Sequence, residues 1–463
     1  MVLSSVELSR TLRGRHLTMI SIGGIVGAGL FVGSSTSILT GGPATFIGFA
    51  ITGLVILMVM RMLAEMSAAL PSVRSFTEFA RAGLGAGAGF VAGWLYWYVW
   101  VMTVPIEAIA GAKILGAFIP LPPLPLGMAL MALMTGVNLL SARSYAEFEF
   151  WFASIKVAAI IVFIVMAGAY AFGWTAPHGN TFANLTDHGG FAPHGWIAVL
   201  AVVPTAFFSM TGAEITTIAA AESAQSARAV ARMTTTVIWR IMIFYVVSLF
   251  LIVSVNPWNA VHSGESPFTL TLKTMGVPGA NTLMTAIILT AVLSSLNSAF
   301  YVSSRVLFIL ARHADAPQQF VRLNARGVPL GSVLIAAAAG FLGILAAQES
   351  ASVIFDFLVS ASGALMIFVY LMIVAAQIKL RRGRERSFEA SPTVLMWLFP
   401  WTSYAAILAM MGVLVAMALT RSLQRDLNVS CIALAVTAAA YLIVKRLRKV
   451  SPAHGIPLDE RAY

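Results

Sequence analysis

Stretches free of Asp, Glu, Lys and Arg dominate the chain. They run over 17–60, 82–106, 114–142, 157–186, 188–213, 241–264, 274–304, 327–348, 357–378, 390–420 and 427–444. A helix needs roughly 20 apolar residues to cross a bilayer, and these runs suit that length. The first is too long for one crossing, and Gly41-Gly42-Pro43 supplies a turn near its middle. Split there, the pattern predicts 12 spans. Closed barrels would need alternating polar and apolar positions, which unbroken Leu/Ile/Val/Ala/Met runs do not provide. The fold class expected is therefore an all-α membrane protein.

Composition agrees. Of 463 residues, 59% are hydrophobic and 10% charged, against about 25% charged in soluble domains. That excludes a cytoplasmic enzyme and a disordered chain. The net charge of +11 could suggest nucleic acid, but the placement of the charges argues otherwise. Lys113, Lys273, Arg421 and Arg425 fall in loops on one side, and Lys156 lies beside an apolar run. The rest of the basic residues fall in the termini and the loops of the other side. The positive-inside rule then places both termini in the cytoplasm, in a multi-pass protein of the cytoplasmic (inner) membrane. The bilayer is the expected partner and nucleic acid is not. The opening apolar stretch exceeds the 7–15-residue core of a cleaved signal, so it reads as the first spans. The lone Cys431 reads as a small packing residue.

Two spans are unsuited to a plain helix. The first contains GGIVGAGLFVG (23–33), with five glycines in 11 residues. The sixth contains FFSMTGAE (207–214), after Pro204. Glycine weakens a helix by about 1 kcal/mol relative to alanine. Opened backbone at membrane depth is tolerated where it is buried in protein or lines a cavity. Glycines of this density also allow close helix packing. First and sixth are corresponding positions if spans 1–5 and 6–10 form two repeats, and paired interrupted helices mark a transporter's central site. The domain plan is then a terminus (1–16), a first repeat (17–173), a second repeat (195–378), two further helices (390–444) and a tail (445–463).

N–H groups freed at Gly27, Ala28 and Gly29, with Gly23 and Gly24 before them, suit a carboxylate. Carbonyls freed around Phe207, Phe208, Ser209, Met210 and Thr211 suit an ammonium. A ligand carrying both is an amino acid. Charges within the membrane are functional candidates by default: Glu107 at the edge of span 3, Glu214 after the sixth-span break, and Lys156 at the start of span 5. Burial disfavours the charged form of a lysine, which would let Lys156 exchange a proton or stand where a sodium ion would sit. The alternative is that it snorkels to the interface; Glu107 could likewise face water there. Glu147 and Glu149 are expected near the cytoplasmic surface. Ser294, Ser295 and Asn297 are plausible neighbours of Lys156. Most of Trp94, Tyr96, Trp97, Tyr98 and Trp100 read as an interfacial aromatic belt, and Phe208 as a gate over the ligand. No metal-ligand spacing, phosphate-binding GxxxxGK[ST] or GxSxG elbow occurs, so no metal, cofactor or enzyme activity is expected.

Seven motifs in order carry a resemblance: RHLTMISIGGIVGAGLFVGSS (15–35), RMLAEM (61–66), GWLYWYVW (93–100), EFEFWFASIKV (147–157), GAEITTIAAAES (212–223), VIWRIMIFY (237–245) and LNSAFYVSSR (296–305). Over about residues 8–450 the chain resembles the amino acid permeases of the amino acid–polyamine–organocation superfamily. In detail it is most similar to the bacterial gamma-aminobutyrate permeases, with a permease for another neutral, aromatic or proline-type amino acid as the alternative and a polytopic membrane enzyme or a channel as the alternatives of another class; it departs from the family in lacking a proline after the ES of 222–223. The resemblance implies a leucine-transporter-like core of two inverted five-helix repeats plus two peripheral helices. It implies secondary active uptake of an amino acid by alternating access. It assigns the substrate carboxylate to Gly27–Gly29, the amine to carbonyls near Phe207–Met210, the gate to Phe208 and proton coupling to Lys156.

Overall fold

The structure is a computed structural model, described here for residues 14–70, 73, 75–140, 142–219, 227–348, 350–386 and 394–450. The terminal Arg10 and Arg13 and the tail beyond Val450 lie outside the described residues. All regular structure among the described residues is helical. The first span is α1 (Gly14–Ile25), α2 (Ala28–Phe31) and α3 (Gly33–Gly41), and the second is α4 (Thr45–Ala69). Between them the chain turns at Gly42, whose φ of +63° suits a residue without Cβ. A short α5 (Phe76–Leu84) precedes α6 (Ala86–Leu115), α7 (Pro123–Asn138) and α8 (Ala142–Ala171).

The second half opens with a broken helix: α9 (Trp196–Ala201), α10 (Val203–Met210) and α11 (Ile215–Ala219). It continues through α12 (Ala227–Val255), the short α13 (Pro267–Thr274), α14 (Ala280–Arg312), α15 (Leu330–Ala346) and α16 (Ala351–Arg386). Two helices close the chain, α17 (Trp401–Leu419) and α18 (Arg421–Val450).

Nine stretches among the described residues are long and apolar enough to cross a membrane, and α7 and α15 are shorter apolar helices. One of the nine, Gly33–Ala69, holds the turn at Gly42 and so belongs to two spans. The twelve predicted spans are all present. The protein is a multi-pass integral membrane protein.

The apolar stretches of α6 and α16 are 72% buried and that of α18 only 6%, so α6 and α16 are central and α18 peripheral. Outward faces carry bare Trp151, Leu408, Leu419, Ile432 and Val436, a surface that suits lipid rather than water. Cys431 is also exposed on α18. It faces outward instead of packing, because α18 buries so little of itself.

Helix boundaries depart from the charge-free runs in one informative way. The run 157–186 predicted the fifth span, yet α8 covers Ala142–Ala171 and continues through Glu149 and Lys156. Likewise α6 continues through Glu107. Charges ended the predicted runs, but polar partners on other helices let the helices pass through them.

Small residues set the closest approaches. Gly363 of α16 lies so near α10 that a Cβ there would overlap the Pro204 carbonyl. A Cβ on Gly83 of α5 would come within 2.7 Å of Ala376 Cα on α16.

At one end of the bundle Glu65, 1% exposed, accepts from Met396 N–H (2.9 Å), Arg384 Nη2 (3.0 Å), Gln377 Nε2 (3.1 Å) and Arg381 Nη1 (3.4 Å). This node fastens α4, α16 and the segment before α17 together. At the same sequence-predicted cytoplasmic side, α5 meets the end of α14 through Arg81–Asp315 and Glu78–His313.

Candidate functional site

The first span opens where α1 stops at Ile25 and α2 starts at Ala28, with Gly27 in a non-helical conformation between them. Each glycine of this break faces a different neighbour. A Cβ on Gly23 would overlap the Glu149 carboxylate of α8. One on Gly24 would reach Ile215 of α11 at 2.6 Å. One on Gly27 would overlap Ser295 Oγ of α14 and crowd Glu107 of α6. One on Gly29 would meet Ser209 Oγ of α10 at 2.8 Å. The glycines therefore do pack closely, but three of the four pack against polar side chains.

The sixth span breaks as α10 ends at Met210. Thr211 turns extended (φ −65°, ψ 141°) and Gly212 takes a φ of +127°, a conformation that L side chains rarely adopt. The freed carbonyls are partly occupied by the chain itself. Thr211 Oγ1 donates to Phe207 O at 2.7 Å. The Tyr245 hydroxyl lies 2.6 Å from Ser209 O and 3.0 Å from Ile25 O, so its one proton serves both broken helices. Each carbonyl keeps a second lone pair for a ligand.

Three charges meet the opened first span. Glu107 is buried, and Ala28 N–H donates to both its carboxylate oxygens at 3.2 Å. Lys156 is fully buried and donates from Nζ to Gly23 O at 2.6 Å. Glu149, also fully buried, accepts from Ser294 Oγ. Ser295 Oγ lies 3.3 Å from Gly23 O and 3.4 Å from Val26 O. Lys156 therefore does not snorkel, and Glu107 does not face water. Glu149 is not at the surface as expected, because α8 starts earlier than its apolar run and carries this residue into the protein.

Glu214 is held apart from this group. It accepts from Tyr370 OH (3.0 Å), Tyr96 OH (3.1 Å) and Gly212 N–H (3.1 Å), so it ties the break of the sixth span to α6 and α16. Asn297 pairs with Asn138 at 2.9 Å, not with Lys156. Tyr96 and Trp100 are buried at 0% and 2% exposure. The belt reading fails for both, because α6 is central rather than peripheral.

A cavity of about 20 Å³ lies between the breaks, lined by Gly24, Ile25, Gly29, Val99, Trp100, Thr103, Glu107, Phe208, Ser209 and Thr211. It has room for about one water. Phe208 is nearly buried and forms part of its wall. A larger cavity of about 380 Å³ sits by Lys113, His262 and Lys273, at the far end of α6. Its charged lining is on loops and helix ends, away from both breaks.

Sequence reasoning missed Glu149 and Tyr245 as members of the site. Both lie within motifs that stood out in the sequence, EFEFWFASIKV and VIWRIMIFY, but only the packing of α8 and α12 shows what they touch.

The amino acid permease family matches residues 16–447. The chain belongs to the amino acid permease family. A gamma-aminobutyric acid permease of Bacillus subtilis (strain 168) is 41% identical over 97% of this chain and 96% of its own length. One of Escherichia coli (strain K12) is 42% identical over 89% of each chain. An aromatic amino acid transport protein of Corynebacterium glutamicum is 37% identical over 90% of this chain and 91% of its own. In this amino acid permease both opened helices border the small cavity, the first through Gly24, Ile25 and Gly29 and the sixth through Phe208, Ser209 and Thr211.

Proposed function

We propose that this permease takes up gamma-aminobutyrate together with protons across the cytoplasmic membrane, with both termini inside. The substrate class is supported above all by the Ala28 N–H, which already holds a carboxylate, that of Glu107. Freed N–H groups at the start of α2 favour an anion there. The reading gives the ammonium end to carbonyls of the Phe207–Met210 segment, supported by Phe208 and Ser209 in the wall of the small cavity. Gamma-aminobutyrate is favoured over other zwitterions by the names of two of the relatives above.

Lys156 supports sodium independence. Its ammonium is already bound to the Gly23 carbonyl, beside Ser294 and Ser295, where a bound cation would find oxygen ligands. Residues 17–173 and 195–378 are read as two structural repeats that rock about the breaks, with Phe208 covering the ligand.

Counterflow in proteoliposomes tests this reading, with gamma-aminobutyrate, proline and aromatic amino acids as the panel. Exchange of gamma-aminobutyrate is expected, with accumulation driven by a pH gradient and indifferent to sodium. Exchange of none of the panel, or accumulation that follows sodium and ignores pH, would overturn it.

A further inference from the structure

We infer that the Glu107 carboxylate is an internal stand-in for the substrate's carboxylate, and that substrate binding displaces it and loads it with the transported proton. The inference deepens the proposed function and rests on that reading of the site. The Ala28 N–H lies 3.2 Å from both oxygens of Glu107, so the seat offered to a substrate carboxylate is already held by a side chain of the protein. The cavity of about 20 Å³ beside it leaves no room for a second carboxylate unless Glu107 swings away. Two unprotonated carboxylates cannot share so dry a site without strong repulsion.

One cation is near. Lys156 on α8 is already committed to Gly23 O, with Glu149 of the same helix competing for its charge. Tyr245 on α12 is the other titratable group facing Glu107, and its hydroxyl is engaged by Ile25 O and Ser209 O. Around it, α2, α10 and α14 present Ala28, Phe208, Ser209 and Ser295, all neutral. Among the other helices packed along α6, α7 and α15 carry no charged residue. The charges of α5 pair with His313 and Asp315. On α16, Tyr370 is bound to Glu214, and Asp356 is bound to Thr36 near the helix start. The charges of α18 lie at its ends, Arg421, Arg425 and Asp426 at one and Lys445 onward at the other, and Lys379 to Arg386 lie at the end of α16. The buried Arg305 of α14 lies over the Tyr301 ring and donates to Ser304 Oγ, and Lys113 of α6 donates to Gly264 O. Among the described residues these cations are already engaged, so a proton from the side the substrate entered neutralises the displaced Glu107.

The cycle balances. Substrate carboxylate replaces Glu107 on Ala28 N–H, and one proton joins Glu107. On the far side the substrate leaves, the proton leaves, and Glu107 returns to its seat. No covalent bond changes other than that O–H.

Two measurements test it. In proteoliposomes, each pH unit of gradient should give wild-type protein up to about tenfold accumulation of gamma-aminobutyrate. Glu107→Gln should bring the accumulation ratio near one, a ratio that does not depend on the rate at which the variant exchanges substrate. In infrared difference spectra, gamma-aminobutyrate added to wild-type protein should produce a protonated-carboxyl band. That band should be absent in Glu107→Gln and shifted in Glu107→Asp. A protonated lysine gives no such band, so Lys156 cannot imitate the result. Counterflow in wild-type protein without the band, persistence of the band in Glu107→Gln, or pH-driven accumulation by that variant would overturn the inference alone. Loss of substrate binding in a folded Glu107→Gln would also overturn it, by making Glu107 a direct ligand of the amine. Absence of counterflow by wild-type protein would instead sink the proposed function.

Discussion

The Lys156 ammonium donates to the Gly23 carbonyl at 2.6 Å, joining the middle of α8 to the last turn of α1 before the break. A carbonyl near a helix end lacks an intrahelical partner, and here a fixed cation serves it. Lys156→Ala would remove that donor and leave Glu107 and Glu149 without their nearest buried cation. The expected outcome is measurable counterflow with pH-driven accumulation reduced to about unity. Accumulation equal to wild type would reduce Lys156 to a packing anchor.

The glycines of the first break should not tolerate a methyl group. Overpacking of a tight core costs about 1–3 kcal/mol, which corresponds to roughly 5- to 150-fold in an equilibrium. Gly27→Ala would push on Ser295 and Glu107, so counterflow should fall by about that factor. Gly33→Ala is the control: the nearest atom to its Cβ would be the Ala28 carbonyl at 3.7 Å, an ordinary contact. Equal transport by both variants would show that crowding at the break is immaterial.

Gly212 answers a different requirement. Its φ of +127° would strain any side chain, and a Cβ would also meet Ile25 Cγ1 at 2.8 Å. Gly212→Ala should lower stability by about 1–3 kcal/mol, read as an earlier thermal transition of the purified protein in detergent. A transition at the wild-type temperature would mean that the break relaxes freely.

Glu214 is expected to matter more for architecture than for coupling. Three donors converge on its carboxylate. Glu214→Gln turns an amide NH2 toward at least one of them, an unsatisfied arrangement that costs about 1–3 kcal/mol. The thermal transition should drop while the accumulation ratio per pH unit stays at the wild-type value. A ratio near one in a folded variant would make Glu214 a proton carrier.

At the Glu65 node, truncation takes the carboxylate from Arg384 and leaves Arg381 with the Glu385 carboxylate alone. Removing one partner of a buried ion pair costs about 3–5 kcal/mol. Because Arg381 and Arg384 remain 14% and 13% exposed, the lower part of that range is expected for Glu65→Ala. Thermal denaturation of the variant checks it, and an unchanged transition would show the node to be dispensable.

Span number and the two breaks were legible in the sequence because both depend on local composition. Apolar length fixes a crossing, and glycine density or a TG pair after a proline weakens a helix wherever it stands. Lys156 was legible too, since a charge within an apolar chain is conspicuous. Glu149 was misplaced because the charge-free run starts after Lys156, whereas α8 starts at Ala142. Its burial depends on Ser294, 145 positions away. Tyr245 and Tyr370 were not legible as site residues for the same reason: each acts through a partner on another helix. The aromatic stretch of α6 misled because a belt and a core interface share one composition, and only the central position of α6 separates them.

The contact between Gly363 and the Pro204 carbonyl has a mechanical corollary. Where two helices meet backbone to backbone, with the Phe207 and Tyr370 rings also in contact nearby, they have little side chain between them to flex and move as one lever. When α10 tilts to open the space around Phe208, α16 travels with it, and the node at Glu65 near the far end of α16 feels the motion. Changing the inertness of that single contact, by a methyl group at position 363, would therefore alter how far a whole pair of helices swings rather than how one side chain packs.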